Sequence, residues 1–335
     1  MRKLVALLVL FLFVSMTQPV CANADVAGNA REENLYYAYQ VAEIFIQGIC
    51  KEALIEKYVL LENIYGEEEA VLFSIKGAGY IIVDMKDLSI PEVSFEGENP
   101  YKGYQNPVYN GPLNYLIRIG DEYMRIYDNK MMSVTEFNSI YVKENMENKE
   151  EYINSLKKRS IKKARPLYED GYLKRPLVTW TETGECCGAI AAAICLKYYR
   201  DNVDYRYVES QYNNSASLIE LMRNEISASF SSLELVVNGL NHYLRRYHPD
   251  TEVIGRESFN FLLLKARIRA ERPVMLGYVK EIYYGEKLYH WVIAHGFVDA
   301  GGNGNYAVVN DGLGRNNIWL LLEETEMKYM VYFNK

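Results

Sequence analysis

The hydrophobic period of this 335-residue chain changes once in its C-terminal half, and that change restricts the fold more than any other feature. Apolar residues recur at helical spacing in "CCGAIAAAICLKYYRD", "SASLIELMRNEIS" and "LELVVNGLNHYLRRYH". In the first of these, Ile190, Ile194 and Cys195 fall at core spacing, and Ala191 to Ala193 let a neighbour approach closely. The period then switches: "RPVMLGYV", "YHWVIAHGFVDA", "NYAVVNDG" and "NIWLLL" read as strands, with the Gly and Asn turn "DAGGNGN" between two of them. Helices followed by an antiparallel sheet predict an α+β domain over residues 167–335.

A second, smaller α+β segment is expected over residues 31–150. "REENLYYAYQVAEIFIQGICKEAL" has the spacing of an amphipathic helix, with Cys50 on its buried side. "EAVLFSIKGAGYIIVDM" and "YLIRIGDEYMRIYD" read as short strands with turns. Residues 151–166 form a charged linker, helical at first, in which six of nine residues from Lys157 to Arg165 are basic before Pro166. Two readings fit it: a solvated helix end, or a cleavage point between a pro-segment and a mature domain. At the start of the chain, Arg2 and Lys3 precede an apolar run from Leu4 to Met16 and small residues at Ala22 and Ala24, the pattern of a signal peptide over 1–24. The run is shorter than the ~20 residues that span a bilayer, so the expected product is secreted, with no stable membrane span once processed. A lipid-bearing Cys21 is the alternative, disfavoured by Val20 before it.

With 37 Lys plus Arg against 44 Asp plus Glu, the net charge is −7, and an acidic surface argues against a nucleic-acid partner. Apart from Cys21, the cysteines are Cys50, Cys186, Cys187 and Cys195, too few and irregular for a disulfide framework. Without paired ligands at regular spacing, structural zinc is not expected, nor any other metal or cofactor.

An exported chain that keeps thiols has a reason for them, and nucleophilic chemistry stands beside a structural buried cysteine as a reading. A helix N-terminus favours the thiolate, and Cys187 stands where the alanine-rich helix begins, with Gly188 giving access. Cys186 points elsewhere, and Cys195, inside the helix, reads as a small buried hydrophobe. The base must come from four histidines. His242 and His248 fall in or just after a helix, beside Arg245 and Arg246, as on a solvated face. His290 and His295 share one strand at odd spacing, so only one of them faces the thiol. Asn310 and Asp311, 20 and 21 residues after His290, can orient an imidazole.

"ECCGAIAAAICLKYY", "HWVIAHGFV" and "VVNDGLG" together resemble the papain-like cysteine peptidases, in the branches of streptopain and the bacteriocin-processing peptidases, over roughly residues 175–322. The resemblance implies a papain-like fold, hydrolysis of a peptide or protein substrate, and a triad of Cys187, His290 and Asn310, with Asp311 as the alternative orienting residue. "GAGYIIVDMKDLSIPEVSFEGENPY" is similar to the pro-segment of streptopain-like enzymes, which implies a zymogen. One departure stands out. These peptidases carry a Gln shortly before the cysteine to hold the oxyanion, and no Gln occurs here between Gln105 and Gln211. Thr181, six positions before Cys187, is the group available in its place. Losing one oxyanion donor costs on the order of a hundred- to a thousandfold in rate, so a catalytically silent binding protein is the competing expectation.

Overall fold

The computed structural model describes residues 25–77, 79–127, 129–133, 148–161, 169–181, 186–226, 232–281, 287–301, 304–322 and 327–334. The expected signal peptide lies outside them, as do residues 162–168 at the end of the basic run. The chain divides into a unit of residues 1–36 and a unit of residues 37–335. Within the first, the described residues are the opening turns of helix α1, Asp25–Ile49. That helix stops one residue short of Cys50, which is exposed rather than on a buried helix face, because the chain turns at residues 51–52.

Eight strands follow: β1 (Ile55–Glu62), β2 (Glu68–Ile75), β3 (Tyr80–Asp84), β4 (Glu92–Ser94), β5 (Pro107–Tyr109), β6 (Tyr115–Ile119), β7 (Glu122–Arg125) and β8 (Met131–Ser133). Helix α2, Lys149–Ile161, occupies much of the expected linker. It is docked rather than fully solvated: Ile153 and Leu156 are buried, and Lys149 Nζ donates to the Met85 carbonyl at 2.7 Å. The C-terminal region then runs β9 (Glu169–Tyr172), α3 (Cys187–Asn202), α4 (Ser215–Ile226), α5 (Leu233–Tyr247), β10 (Glu252–Arg256), α6 (Phe261–Arg269), β11 (Val274–Glu281), β12 (Lys287–Asp299), β13 (Asn305–Asn310), β14 (Ile318–Leu321) and β15 (Met327–Asn334).

The strands of the C-terminal region form an antiparallel series in the order β10, β15, β11, β12, β13, β14, with β9 also paired to β12. The expected turn at residues 300–304 closes the β12–β13 hairpin, through Ala300 N–H to the Gly304 carbonyl at 3.0 Å. The sheet does not stop at β14. Trp319 pairs with Val93 and Leu320 with Glu92, so β14 joins β4, and β3, β2 and β1 continue from there. The boundary drawn from sequence near residues 151–166 is therefore not a break in the sheet. One hydrophobic cluster holds Leu72 and Ile82 from the N-terminal strands together with Ile190 and Trp291.

Helix α3 is buried along almost its whole length, because its residues are small or apolar on every side: Gly188 through Leu196 are all buried. It packs on α4 and on β12. Ala191 to Ala193 sit at 1% exposure or less, so a larger side chain at any of them would meet a neighbour. This packing sets the N-terminus of α3 against the middle of β12.

Candidate active site

Cys187 opens α3, and Cys186 precedes it with φ −135° and ψ 28°, outside the helical region. That backbone change sends the adjacent thiols in different directions. Cys186 Sγ is buried and lies 3.1 Å from Arg223 Nη2 on α4. Cys187 Sγ is reached instead by backbone amides of Trp291, Gly188 and Cys187 itself. Trp291 directly follows His290 on β12, so the thiol rests against the strand at the histidine. Burial pushes the Cys187 thiol up to about 11, with those amides pulling the other way and Cys186 adding to the rise. Cys195 is fully buried within the helix, and burial takes its thiol to about 12, as fits a core residue.

His290 is 8% exposed, and burial lowers its imidazole to about 4. Asp311 raises it through its charge and through a backbone hydrogen bond, while Arg125 and Arg315 lower it. Nε2 has no hydrogen-bond partner among the described residues. The Asp311 backbone contact thus falls to the other ring nitrogen, which leaves Nε2 as the proton acceptor. His295 is the extra residue of a bulge where β12 pairs with Ala294↔Val309 and Gly296↔Val308. Its ring lies 6.5 Å from that of Tyr172 on β9, and burial lowers it too to about 4. Of the others, His242 is exposed and paired with Glu225 at 2.9 Å. His248 departs from the solvated face expected for it. It is buried, stacked on Tyr207 at 4.2 Å and bonded to Thr251 at 2.9 Å, because the chain turns inward at the end of α5.

The two candidate orienting residues stand where β13 ends and its loop begins, Asn310 as the last strand residue and Asp311 as the first of the loop, and they do different things. Asn310 is fully buried, and its amide is used locally: Nδ2 donates to the Val178 carbonyl at 3.1 Å and Oδ1 accepts from Gly312 N–H at 2.9 Å. Asp311 provides the contacts to His290. Its Oδ1 accepts from the amides of Leu313 at 2.8 Å and Arg315 at 3.0 Å, and Oδ2 accepts from Arg315 Nε at 2.7 Å. Gly312, at φ +70°, makes this turn possible, and a Cβ there would come 3.4 Å from Ile190 in the first turn of α3. The loop is thereby fitted against the cysteine helix. Thr181 forms a bridge to Leu313 in the same loop and is exposed. Its contacts are with the Leu313–Gly314 turn, and residues 182–185 between it and Cys187 lie outside the described ones.

Several residues at this site come from the N-terminal segment and were not legible as site residues. The Tyr127 ring stacks on His290 at 6.3 Å and 27°, and Arg125, buried at the end of β7, lies 4.4 Å from the Tyr127 ring centre. Arg315 lies 4.4 Å over the Tyr115 ring. Its spacing four after Asp311 in a glycine-containing turn was the available signal. Nothing in "RIYD" marks Tyr127. No group of three or more potential metal ligands occurs among the described residues.

The two buried histidines make stability depend on pH. Their folded values near 4 lie below the unfolded 6.5, so the unfolded chain binds more protons between those limits and stability rises with pH there. The contribution is fully present above pH 6.5 and is lost as pH falls through 4. A difference of ~2.5 pH units corresponds to about 3 kcal/mol for each histidine. Thermal melts are expected to fall steeply between pH 6.5 and 4, and His295→Gln to flatten the fall. An equally steep fall in that variant would remove His295 from the explanation.

Residues 172–332 match the model of the Peptidase_C39 like family. No curated protein matches the chain. Among solved structures, a candidate C39-like peptidase from Bacillus anthracis matches at 13% identity and a TM-score of 0.34, covering 50% of this chain and 98% of its own. Active wild-type interpain A cysteine protease of Prevotella intermedia matches at 16% identity and a TM-score of 0.36, covering 48% of this chain and 94% of its own. Over residues 172–332, then, the chain is similar to the Peptidase_C39 like family.

Proposed function

We propose that the protein is a secreted cysteine peptidase that hydrolyses peptide bonds with Cys187 as nucleophile and His290 as its acid–base partner. The observation that carries this reading is the Trp291 amide reaching Cys187 Sγ, which joins the thiol at a helix N-terminus to the residue next to His290. In the reaction, His290 Nε2 takes the Cys187 proton and the thiolate attacks the peptide carbonyl. The Cys187 amide and a group from the Thr181 side hold the oxyanion. His290 then protonates the leaving amine, and water hydrolyses the resulting thioester. Asp311 orients and charges the imidazole, with Asn310, the first choice from sequence, bracing the loop.

The arrangement supports synthesis as a latent form. A thiol near 11 beside an imidazole near 4 is a neutral pair at neutral pH, and Tyr127 covers the imidazole. The competing reading, a silent binding protein, is favoured by the absent Gln and by a Thr181 backbone already bridged to Leu313.

Digestion of a mixed peptide library, followed by mass spectrometry, separates the two. Cys187→Ala is expected to lose cleavage altogether, while Cys186→Ala retains it within about tenfold. Cleavage that survives Cys187→Ala would overturn the reading, and loss only in Cys186→Ala would move the nucleophile by one residue. Export is tested by sequencing the N-terminus of the chain recovered from culture medium, with a start near residue 25 expected.

A further inference from the structure

A carboxylate of the N-terminal segment lies fully buried in the network that leads to His290. Glu92, on β4, has 0% exposure, in a strand that pairs with β14 immediately after the Asp311–Arg315 turn. Its Oε1 accepts from the hydroxyls of Tyr80 and Tyr115, and its Oε2 accepts from the Leu113 amide at 3.0 Å. Tyr115 also lies beneath the Arg315 guanidinium, and Arg315 bonds Asp311, which in turn contacts His290.

A buried carboxylate without a charged partner is expensive, so a chain that retains one has a reason for it. Burial raises the Glu92 carboxyl, while the charge of Arg315 and the hydrogen bonds from Tyr115, Tyr80 and the Leu113 amide favour its carboxylate. Burial works against the guanidinium's charge, and the carboxylates of Asp311 and Glu92 act the other way. If Asp311 alone balanced Arg315, that pair would be closed on itself and would hold little negative field for an imidazolium. With Glu92 as a second anion on Arg315, Asp311 keeps charge to spare for His290.

We propose that Glu92 is a positioning residue for the candidate active site, acting through Arg315 and Asp311 on His290. This rests on the reading of His290 as the acid–base group. It gives the N-terminal segment a place in the catalytic apparatus. Release from latency then requires displacement of Arg125 and Tyr127 from His290, with β4 staying in the sheet.

The groups facing His290 are Asp311, Arg315, Arg125 and Tyr127; those facing Glu92 are Tyr80, Tyr115, Tyr101, Tyr109 and Arg315. Glu92→Gln deletes one negative charge from this set and keeps the side chain's shape. The imidazolium becomes harder to form at neutral pH, so less of Cys187 is held as its thiolate.

The test is the rate of Cys187 alkylation by iodoacetamide at pH 7.5 in the full chain, with sites read by mass spectrometry, alongside kcat and KM. In Glu92→Gln that rate is expected to fall about threefold or more while exposed Cys50 is labelled as in wild type, with kcat reduced and KM within about twofold. Where Glu92→Gln does not fold, Tyr115→Phe, which removes one donor from Glu92 and keeps the ring beneath Arg315, is expected to slow Cys187 in the same direction by less. A Cys187 rate unchanged in the folded variant, or slowed equally with that of Cys50, overturns the proposal. The alkylation is read without any hydrolysis. A chain whose cleavage survives Cys187→Ala therefore refutes the peptidase reading on separate grounds.

Discussion

Asp311→Ala is expected to cost both the fold and the chemistry. Its carboxylate is fully buried and accepts two backbone amides as well as the Arg315 side chain. Removing it leaves a half-buried guanidinium short of its nearest anion and two amides without their acceptor, a loss that approaches the ~3–5 kcal/mol of a fully buried pair. The same change removes the charge that favours protonated His290, so hydrolysis is expected to fall on the order of a hundredfold or more in whatever fraction stays folded. Asn310→Ala is the comparison. Asn310 ties the loop to Val178 and Gly312, and its loss is expected to cost about 1–3 kcal/mol of stability with a smaller effect on rate. Thermal melts and kcat/KM for both variants decide between the two orienting residues. A larger kcat loss in Asn310→Ala would return the role to Asn310.

Tyr127→Gly is expected to have the opposite effect, raising reactivity. Tyr127 stacks on His290, and burial is the main reason that imidazole is depressed. Opening the ring to water relieves the desolvation that keeps thiol and imidazole neutral, so the ion pair becomes accessible near neutral pH. The iodoacetamide alkylation rate of Cys187 at pH 7.5, with sites read by mass spectrometry, is expected to rise on the order of tenfold or more. A rate unchanged from wild type would place latency elsewhere in the chain.

What could be read from sequence was local. The α3 helix, with the cysteine at its start, followed from Gly188 through Leu196 being small or apolar. The β11–β14 strands followed from alternation, and the β12–β13 turn from its Gly and Asn residues. His290 and Asp311 were both legible as candidates because they sit on or just after such strands. The choice between Asn310 and Asp311 was not, since adjacent residues where a strand passes into a loop differ by backbone direction, which depends on Gly312 and on the packing against Ile190. Glu92, Arg125 and Tyr127 were invisible as site residues because each reaches His290 or its network across the sheet from more than 150 residues away in sequence. The strands that carry them read as a separate segment. The pairing of β14 with β4 unites the two, through contacts whose residues carry no chemical signature of their own.

The central claim is that Cys187 carries out covalent acyl transfer with His290. The most direct measurement is intact-mass spectrometry of the acid-quenched full chain after brief incubation with an acyl-peptide ester, in wild type and in Tyr127→Gly. The expected result is one acyl group added to Cys187, more abundant in Tyr127→Gly and absent when His290 is replaced by alanine. An adduct on Cys186, an adduct indifferent to His290, or no adduct in either chain would contradict it.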